Sequence, residues 1–378
     1  MGIEDLSASH ATRAEISLAA FRSNIDAVRA YAQPGVSVMA VVKANAYGHG
    51  AVRMAAEAVA HGVERLAVAR YHEGIELREG GVTAPILVFE ATQVEHVPTA
   101  LGYGLDLTIM NRQGLEAVAS AARRSGAPAR VHVKVDTGMG RLGVADQLAA
   151  DFVEQAAREQ GVEVIGVYSH FATSEDPDRT FAEAQVKRFE AVLEEVGRRK
   201  IEVALRHMAN SGAIMRMPEA HFDLVRPGIM LYGYPPGHGM PERFPVRPVM
   251  SLRSRVSYLK YVDAGASISY GRNYFTGGRT AIATIPVGYA DGYFRPLTNR
   301  SSVIIRGRRY PVVGTICMDH IMADLGAVTD VQEGDAVTLI GTDGAESISG
   351  WDVAEILGTI PYEVTCAITS RVWRRYDE

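Results

Sequence analysis

The sequence predicts an α/β fold in two domains: an N-terminal (β/α)8 barrel of the TIM type over 1–247 and a C-terminal, mainly antiparallel β domain over 248–378. In the first part, eight short β-rich runs alternate with stretches of helical spacing, which is the pattern of a barrel of about 250 residues. After Pro248 the runs are short, β-branched and separated by Gly, Asp and Asn turns, which favours antiparallel sheets. A doubly wound open sheet is the alternative for the first part.

The predicted elements follow from these two textures. The strands predicted for the barrel are 38–43, 65–69, 85–90, 105–109, 130–135, 163–170, 203–208 and 222–225. Apolar residues recurring at i, i+3 and i+4 predict helices over 47–61, 146–159 and 179–199. The elements predicted for the β domain are strands over 254–262, 280–290, 301–314 and 335–341, a helix over 351–358 and a final strand over 364–373. The Pro-rich stretch 234–248 is the predicted linker.

Composition limits the classes of partner and the compartment. A net charge of −5 with scattered signs gives no reason to expect nucleic acid or an acidic membrane surface as a partner. Two cysteines, Cys317 and Cys366, do not make a disulfide framework, which fits a reducing cytoplasm. The N-terminal residues lack a signal pattern, and no apolar run approaches the ~18 residues needed to span a bilayer. We therefore expect a soluble cytoplasmic protein.

Polar side chains collect where the predicted strands end. In a barrel of this type, the carboxyl ends of the strands form the active site. The polar residues and glycine found there are Lys43, Lys134, Asp136, Arg141, His170, Asn210, Ser211, Arg226 and Gly228. Taken one at a time, each has an ordinary structural reading: a strand-end lysine as a surface group, His170 as a core histidine, Arg226 as an ion-pair partner of Asp223.

A lysine and an anion cradle together indicate the type of cofactor. A desolvated lysine has a lowered pKa and attacks carbonyl carbons, as in Schiff-base enzymes. The loops that follow the last two predicted strands, 209–213 and 226–233, offer hydroxyl and N–H donors, and such loops bind phosphate in this fold. The pair suggests pyridoxal 5′-phosphate (PLP), with another phosphorylated ligand as the alternative. No HExxH or Cys/His spacing indicates a metal site.

Four long motifs, in order along the chain, resemble the signatures of the alanine racemases. They are "AVVKANAYGHG" (40–50), "VKVDTGMGRLG" (133–143), "CMD" (317–319) and "YEVTC" (362–366). The resemblance implies a PLP enzyme that interconverts L- and D-alanine in the cytoplasm by a two-base mechanism and supplies D-alanine for peptidoglycan. It also implies a head-to-tail homodimer whose active sites are shared between subunits.

The resemblance further implies roles for single residues. Lys43 is expected to hold PLP as an internal aldimine and to act as one base, and Tyr270 of the partner subunit is expected to act as the other. The implied cofactor ligands are Tyr47, His170, Asn210, Ser211, Arg226, Gly228, Ile229 and Tyr362. Arg141 and the backbone of Met318 are implied to bind the substrate carboxylate, and Lys134 matches a position that is carboxylated in many members. The positions implied to line the entrance or the dimer site are Tyr289, Arg295 and Asp319.

Arg226 has a further chemical meaning if it faces the pyridine nitrogen. Arginine stays charged and only donates hydrogen bonds, so the ring nitrogen is expected to remain unprotonated and the transamination side reaction to be limited. Rival functions remain at this point: a racemase acting on serine, lysine or many amino acids, a PLP-dependent decarboxylase and a non-catalytic PLP carrier. The carrier lacks a β domain, and the decarboxylases use a glycine-rich phosphate loop where this chain has "ANSGA" and "RPGI".

Overall fold

The computed structural model describes residues 11–237 and 244–377, which group into two compact units. The barrel unit consists of the described parts of Phe21–Ala46 and Ala51–Arg247. The β unit consists of the described parts of Met1–Ala20, Tyr47–Gly50 and Pro248–Glu378. Each unit is therefore assembled from separate stretches of the chain.

The elements are numbered in chain order. The strands are β1 (Arg13–Ser17), β2 (Ser37–Val41), β3 (Arg65–Val68), β4 (Ile86–Val88), β5 (Asp106–Ile109), β6 (Ala129–Asp136), β7 (Val144–Ala145), β8 (Val162–Tyr168), β9 (Leu205–His207), β10 (Leu224–Val225), β11 (Met250–Arg255), β12 (Tyr258–Val262), β13 (Thr280–Ile285), β14 (Ser302–Ile305), β15 (Arg308–Pro311), β16 (Ile321–Asp324), β17 (Ala336–Asp343), β18 (Glu346–Ile348) and β19 (Trp373–Asp377). The α-helices are α1 (Leu18–Tyr31), α2 (Ala51–Ala60), α3 (Tyr71–Glu79), α4 (Val97–Gly102), α5 (Arg112–Ser125), α6 (Asp146–Arg158), α7 (Thr180–Arg198), α8 (Ser211–Arg216), α9 (Gly350–Leu357) and α10 (Pro361–Cys366). Short 3-10 helices cover Val94–His96, Pro218–Ala220, Ile229–Tyr232, Tyr270–Arg272, Tyr289–Asp291 and Arg295–Leu297.

The barrel unit is a nearly closed parallel barrel, as the sequence predicts. Its strands follow the order β10-β2-β3-β4-β5-β6-β8-β9, with the short β7 paired to β6. Backbone hydrogen bonds from Asp223 to Arg206 (3.1 Å) and from Arg226 to Ala209 (2.9 Å) connect the two ends of this order. All eight predicted strands are present, seven of them shorter than predicted and β6 longer by one residue at each end, so the predicted fold class is confirmed.

The helices around the barrel begin and end at residues suited to those positions. The side chain of Asn111 accepts a hydrogen bond from the Gly114 amide (2.8 Å) at the start of α5, and Gly126 ends that helix in the left-handed conformation. The helix predicted over 47–61 begins only at Ala51 because the preceding residues have positive φ angles, which a right-handed helix excludes.

Two sheets form the β unit, and both follow the predicted antiparallel pattern in most of their pairings. The larger has the order β15-β14-β17-β11-β1-β19 with β18 on β17, and the smaller has the order β12-β13-β16. In the larger sheet, β1 and β19 pair in parallel. The strand predicted over 364–373 is wrong: Pro361 occupies the first turn of α10, where its missing N–H costs no hydrogen bond, and the last strand begins only at Trp373.

Candidate active site

Lys43 lies two residues beyond the end of β2, at the start of an unusual turn. Ala44, Asn45 and Ala46 have φ angles of 51 to 54° and ψ angles of 45 to 52°, and Tyr47 continues with a φ of 53°. Residues with a Cβ atom rarely adopt this left-handed conformation, which costs about 1–2 kcal/mol for each of them. The backbone that follows Lys43 is therefore strained over four consecutive residues, as is common at functional sites.

The carboxylate of Glu73 holds the first part of this turn. Its Oε1 accepts a hydrogen bond from the Ala44 amide (2.7 Å), and its Oε2 accepts from the amides of Ala69 (2.7 Å) and Arg70 (2.9 Å). The side chain of Asn45 accepts from the first amide of α2 (2.8 Å). One carboxylate thus ties the residue after Lys43 to the end of the neighbouring strand β3.

Because of this strain, we expect the usual effects of valine and glycine on stability to be reversed at the exposed Ala44. We expect Ala44→Val to lower the free energy of unfolding by about 1–2 kcal/mol and Ala44→Gly to leave it unchanged or raise it, since glycine adopts positive φ without a steric cost. The matched control is the exposed Ala157 on α6, where glycine should destabilise more than valine. Urea unfolding of the four variants measures both orders, and the same order at both positions would contradict a strained turn.

Lys134 lies in the barrel interior, not at its surface. Its Nζ is 4.4 Å from the centroid of the Tyr168 ring, and the guanidinium carbon of Arg226 is 5.4 Å from the same centroid. The Tyr168 hydroxyl hydrogen-bonds the Thr108 hydroxyl (2.9 Å), and burial raises its pKa to about 12. Burial, followed by the charges of Arg226 and Arg141, lowers the pKa of Lys134 well below its ordinary value.

Arg226 is a buried cation, 3% exposed, that pairs with neutral acceptors. Its Nη2 donates to the carbonyl oxygens of Ser169 (2.7 Å) and Met208 (2.9 Å), and its Nη1 donates to Nδ1 of His207 (2.8 Å). Within the described ranges no carboxylate forms an ion pair with it. Burial lowers the pKa of Arg226 to about 10, so the guanidinium is charged at neutral pH and suits one more hydrogen-bond acceptor.

The pKa of His170 shows that several of the predicted site residues lie near it. The pKa of its half-buried imidazole is lowered well below the ordinary value, first by desolvation and then by the charges of Lys134, Arg226, Arg141 and Lys43. Lys43 follows β2, Lys134 lies in β6, Arg141 follows β6 and Arg226 follows β10. The structure therefore brings the predicted barrel residues to the carboxyl end of the strands, where a bound anion or carbonyl group would meet several positive charges.

The loops after β9 and β10 meet as a donor cradle. The Gly228 amide donates to the Ser211 hydroxyl (3.0 Å), which joins the two loops directly. The side chain of Asn210 accepts from the Ala213 amide (3.1 Å) and so caps α8, while Ile229 begins the next 3-10 helix. Buried hydroxyl and amide groups close to a helix start suit a small anion such as phosphate.

Three histidines of the barrel, of which His132 and His207 are buried, make stability depend on pH. Burial is the first cause of a pKa lowered to about 3 at His132 and lowered well below the ordinary value at His170 and His207. Below an unfolded pKa of about 6.5, the unfolded chain binds protons that the folded chain does not. Each histidine should therefore reduce the free energy of unfolding by about 1.4 kcal/mol per pH unit as the pH falls below that value.

Substitution isolates one of these contributions. We expect His132→Asn to decrease the slope of unfolding free energy against pH, measured between pH 5 and 6, by about 1.4 kcal/mol per pH unit. His72, exposed on α3, provides the matched control His72→Asn. An equal slope in His132→Asn and the parent protein would mean that His132 is protonated in the folded chain.

In the β unit, Tyr47 and Tyr362 lie together. Their ring centroids are 5.9 Å apart. Burial, then Tyr362 and Cys366, raises the pKa of the Tyr47 hydroxyl far above its ordinary value, so this group is a hydrogen-bond donor at every working pH. Gly48 permits the approach of this segment to α10, because a Cβ there would lie 2.0 Å from the carbonyl oxygen of Thr365.

Tyr270 lies on the surface of the β unit. Its side chain is 72% exposed, and its carbonyl oxygen accepts a hydrogen bond from the Thr315 hydroxyl (2.7 Å). The preceding Ser269 lies against Cys317, with 3.3 Å between Oγ and Sγ. A phenol presented outward by an ordered backbone is available to another molecule.

The other predicted residues of the β unit lie on neighbouring backbone. The amide of Tyr289 donates to the carbonyl oxygen of Cys317 (3.1 Å), and the next amide donates to the carbonyl oxygen of Met318 (3.1 Å). Asp319 pairs with Arg371 at 2.6 Å. Arg295 begins a separate 3-10 helix, and no hydrogen bond within the described part of the chain joins its side chain to these residues.

Sequence reasoning missed several residues of the site. They are Glu73, His132, Tyr168 and His207. One signal was present: "RVHVKVD" alternates polar and valine residues over 130–136, and only the valines suit an apolar barrel interior. The polar set can face the interior because its members find hydrogen-bond and ring partners on neighbouring strands, which a single sequence does not reveal.

The described part of the chain contains neither a membrane-spanning helix nor a cluster of metal ligands. Within residues 11–237 and 244–377, no helix is long and apolar enough to cross a membrane. The same residues contain no group of three or more His, Cys, Asp and Glu side chains able to hold a metal ion.

Comparison with known proteins gives consistent matches along the chain. The family model described as alanine racemase, N-terminal domain, matches residues 16–236, and the model of the C-terminal domain matches 249–376. The alanine racemase of Carboxydothermus hydrogenoformans is 43% identical over 364 residues, which cover 96% of this chain and 98% of that protein. A solved alanine racemase of Clostridium difficile superposes with a TM-score of 0.93 at 35% identity, covering 97% of this chain and 96% of the other. A cycloserine complex from the same organism superposes with a TM-score of 0.91 at 34% identity, covering 97% and 95%.

Proposed function

The chain belongs to the alanine racemase family, and we propose on that premise that it interconverts L- and D-alanine with PLP as its cofactor. One observation carries the proposal: Lys43 follows a barrel strand on a strained turn, and its charge acts on His170 together with that of the buried Arg226, which pairs with no carboxylate among the described residues. The resemblance drawn from four motifs is confirmed by the matches over both halves of the chain. A racemase of broader specificity is the second candidate, because the same residues would serve serine or lysine.

The residues of the barrel fit PLP by their chemistry. Lys43 offers an amine for the aldehyde of the cofactor. Ser211 and Gly228 offer a hydroxyl and an amide for the phosphate. Arg226 offers N–H groups, which donate hydrogen bonds and cannot accept one from a protonated ring nitrogen. PLP, when bound, supplies the electron sink that acidifies the α-carbon of an amino acid. Arg226 should keep that sink moderate because it provides no proton to a ring nitrogen.

Each proposed role uses a property of its side chain. Lys43 holds the cofactor and moves a proton on one face of the substrate, and Arg141 binds the substrate carboxylate with its planar donors. Asn210, Ser211, Gly228 and Ile229 bind the phosphate from the barrel loops. His170, whose pKa is lowered by burial and by the basic side chains around it, stays neutral and supports the cofactor ring without adding a positive charge.

The β unit is proposed to serve the site of a second copy. Tyr270 acts as the other base in the partner subunit, which suits a phenol that its own chain leaves exposed. Tyr47 and Tyr362 donate to the phosphate, the backbone of Met318 engages the substrate carboxylate, and Tyr289, Arg295 and Asp319 line the entrance. We place the enzyme in the cytoplasm, as a homodimer whose D-alanine product supplies peptidoglycan synthesis, with a barrel domain over 1–247 and a β domain over 248–378.

Lys134 is proposed to carry a carboxyl group. Burial lowers the pKa of this amine well below its ordinary value and so favours the neutral form, which can attack CO2. The nitrogen forms a bond to the CO2 carbon and releases one proton to water, which leaves a carbamate anion. That anion would turn the repulsion between Lys134 and the charges of Arg141 and Arg226 into attraction.

The modification has a direct spectroscopic test. Protein equilibrated with 13C-bicarbonate should show one carbamate carbon resonance, absent from Lys134→Gln and retained by the control Lys187→Gln, whose lysine is exposed on α7. We expect racemisation by Lys134→Gln to fall about tenfold, because Arg141 loses an ion-pair partner. A parent protein without the resonance would show that Lys134 remains a plain amine.

An activity assay tests the function itself. Purified protein with PLP is given L-alanine, L-serine or L-lysine, and the D-enantiomer is followed with a coupled oxidase. Turnover of alanine well above the other two supports the proposal, and equal turnover supports the broader racemase. A protein that binds PLP but turns over no amino acid would be a carrier.

A further inference from the structure

Two buried imidazoles continue the contacts of Arg226 into the barrel interior. Nη1 of Arg226 lies 2.8 Å from Nδ1 of His207, and Nε2 of His207 lies 2.9 Å from Nδ1 of His132. None of the three side chains is more than 3% exposed. The three groups therefore form a chain of hydrogen bonds shielded from water.

The chemistry of the first donor fixes the direction of every bond in the chain. A guanidinium has only donors, so Nδ1 of His207 accepts. A neutral imidazole carries a single hydrogen, so the hydrogen of His207 lies on Nε2 and is donated to Nδ1 of His132. The hydrogen of His132 then lies on its own Nε2. Both rings are neutral because burial and the charge of Arg226 lower the pKa of each.

The surrounding residues hold the two rings in this arrangement. Gly166 lies opposite His132 in the β6–β8 pairing, and a Cβ on Gly166 would lie 2.1 Å from Nδ1 of His132. The pairing also shifts register between Val131 and His132. The ring of His207 stacks on Tyr168 with centroids 4.8 Å apart and planes at 4°. The His132 ring occupies the space left by the missing Cβ of Gly166, and the His207 ring is held by its stacking on Tyr168. Both contacts oppose rotation of the rings into the alternative arrangement.

We propose that His132 is a positioning residue for Arg226, acting through His207. By accepting the Nε2 hydrogen, His132 keeps His207 in the one tautomer whose Nδ1 can accept from the guanidinium. Without that acceptor, His207 gains access to the tautomer with a hydrogen on Nδ1, which places two donors face to face and displaces Nη1 of Arg226. The consequence for catalysis rests on the proposed function, whereas the hydrogen order rests on the side chains alone.

Imidazole 15N spectra of the full-length protein test the hydrogen order, before and after loading with PLP. In parent protein with 15N-labelled histidine, we expect both His132 and His207 as neutral Nε2–H tautomers at pH 7. His132→Leu removes the acceptor at similar volume, and the His207 signals should then move towards a mixture of tautomers. His132→Asn returns an acceptor oxygen near the position of Nδ1 and should restore the parent signals of His207.

The kinetic readout follows the same order of variants. We expect kcat to fall about tenfold in His132→Leu with little change in KM, and to recover in large part in His132→Asn. An Nδ1–H tautomer of His207 in the parent protein overturns the proposal, whether or not the variants fold. Unchanged His207 signals in a folded His132→Leu protein also overturn it. Loss of racemisation in all proteins with the expected spectra would instead contradict the proposed function.

Discussion

Replacing Lys43 by alanine is expected to abolish racemisation in both directions, with kcat lowered by at least about 10⁴-fold. General acid–base catalysis by one group contributes about 10²–10⁴-fold, and Lys43 is proposed to anchor the cofactor as well. Lys43 lies just after β2, and Glu73 ties the residue that follows it to the end of the neighbouring strand β3. No other lysine among the described residues lies at this position. Initial rates from L-alanine and from D-alanine measure the effect.

The control separates chemistry from folding. Lys187→Ala removes an exposed lysine from α7 and should leave both rates unchanged. The unfolding midpoint of Lys43→Ala should stay close to that of the parent protein without PLP, since the strain of the turn lies in the backbone of 44–47. A Lys43→Ala protein that keeps a tenth of the parent activity would assign the base to another residue.

The barrel could be predicted because each of its strands shows as a pattern within a short stretch of the sequence. Most of the eight runs are rich in apolar residues and bounded by turn residues, and several have a polar residue at or just after their end. Parallel strands place their carboxyl ends at one edge, so Lys43, His170 and Arg226 could be expected to gather before any distance was known. The predicted strands extended too far at this edge, since Lys43 and His170 both lie two residues beyond their strands.

The parts that escaped prediction depend on partners distant in the chain. β1 reads as an ordinary N-terminal segment, yet it pairs with β11 and β19, more than 200 residues away. The strand predicted over 364–373 has the β-branched residues of a strand, but the helix that begins at Pro361 takes its first part. Local propensity was outweighed in both cases by pairing or by a helix start.

The left-handed turn after Lys43 shows a different limit. "KANAYG" contains alanines, which favour right-handed helix, and nothing in their type indicates positive φ. The conformation is stabilised by contacts from elsewhere, among them the Glu73 carboxylate. Strain of this kind persists only when the surrounding structure holds it, so it can be explained after the fold is known but not before.

The polar barrel interior joins these observations to the chemistry. Lys134, Arg141 and Arg226 lower the pKa of nearby groups, and no carboxylate forms an ion pair with Arg226 in the described structure. Burying a cation such as Arg226 without a carboxylate partner is costly, so this site is expected to be stabilised by anions that bind there. The phosphate of the cofactor, the carboxylate of the substrate and a carbamate formed on Lys134 are the three anions proposed there.

Tyr270→Phe should lower racemisation by about 10³-fold but should leave the exchange of the α-hydrogen intact for one of the two enantiomers. The variant loses only an exposed hydroxyl, so stability should not change. If Lys43 and Tyr270 serve opposite faces, Lys43 still exchanges the α-hydrogen of one enantiomer with solvent. In D2O, proton NMR should show loss of the α-hydrogen from one enantiomer of alanine and not from the other. Equal exchange from both would contradict a second base at Tyr270.

Mixing two inactive variants tests whether the two bases come from different subunits. Lys43→Ala and Tyr270→Phe chains, unfolded and refolded together, should recover about a quarter of the parent activity, because half of the randomly formed dimers are hybrids and each contains one intact site. If both bases belonged to one chain, every site would lack one of them and the mixture would stay inactive. Tyr258→Phe, which also removes an exposed hydroxyl from the β unit, should be active without mixing. Recovery in the mixture, and its absence when either variant is refolded alone, would establish that one chain completes the active site of the other.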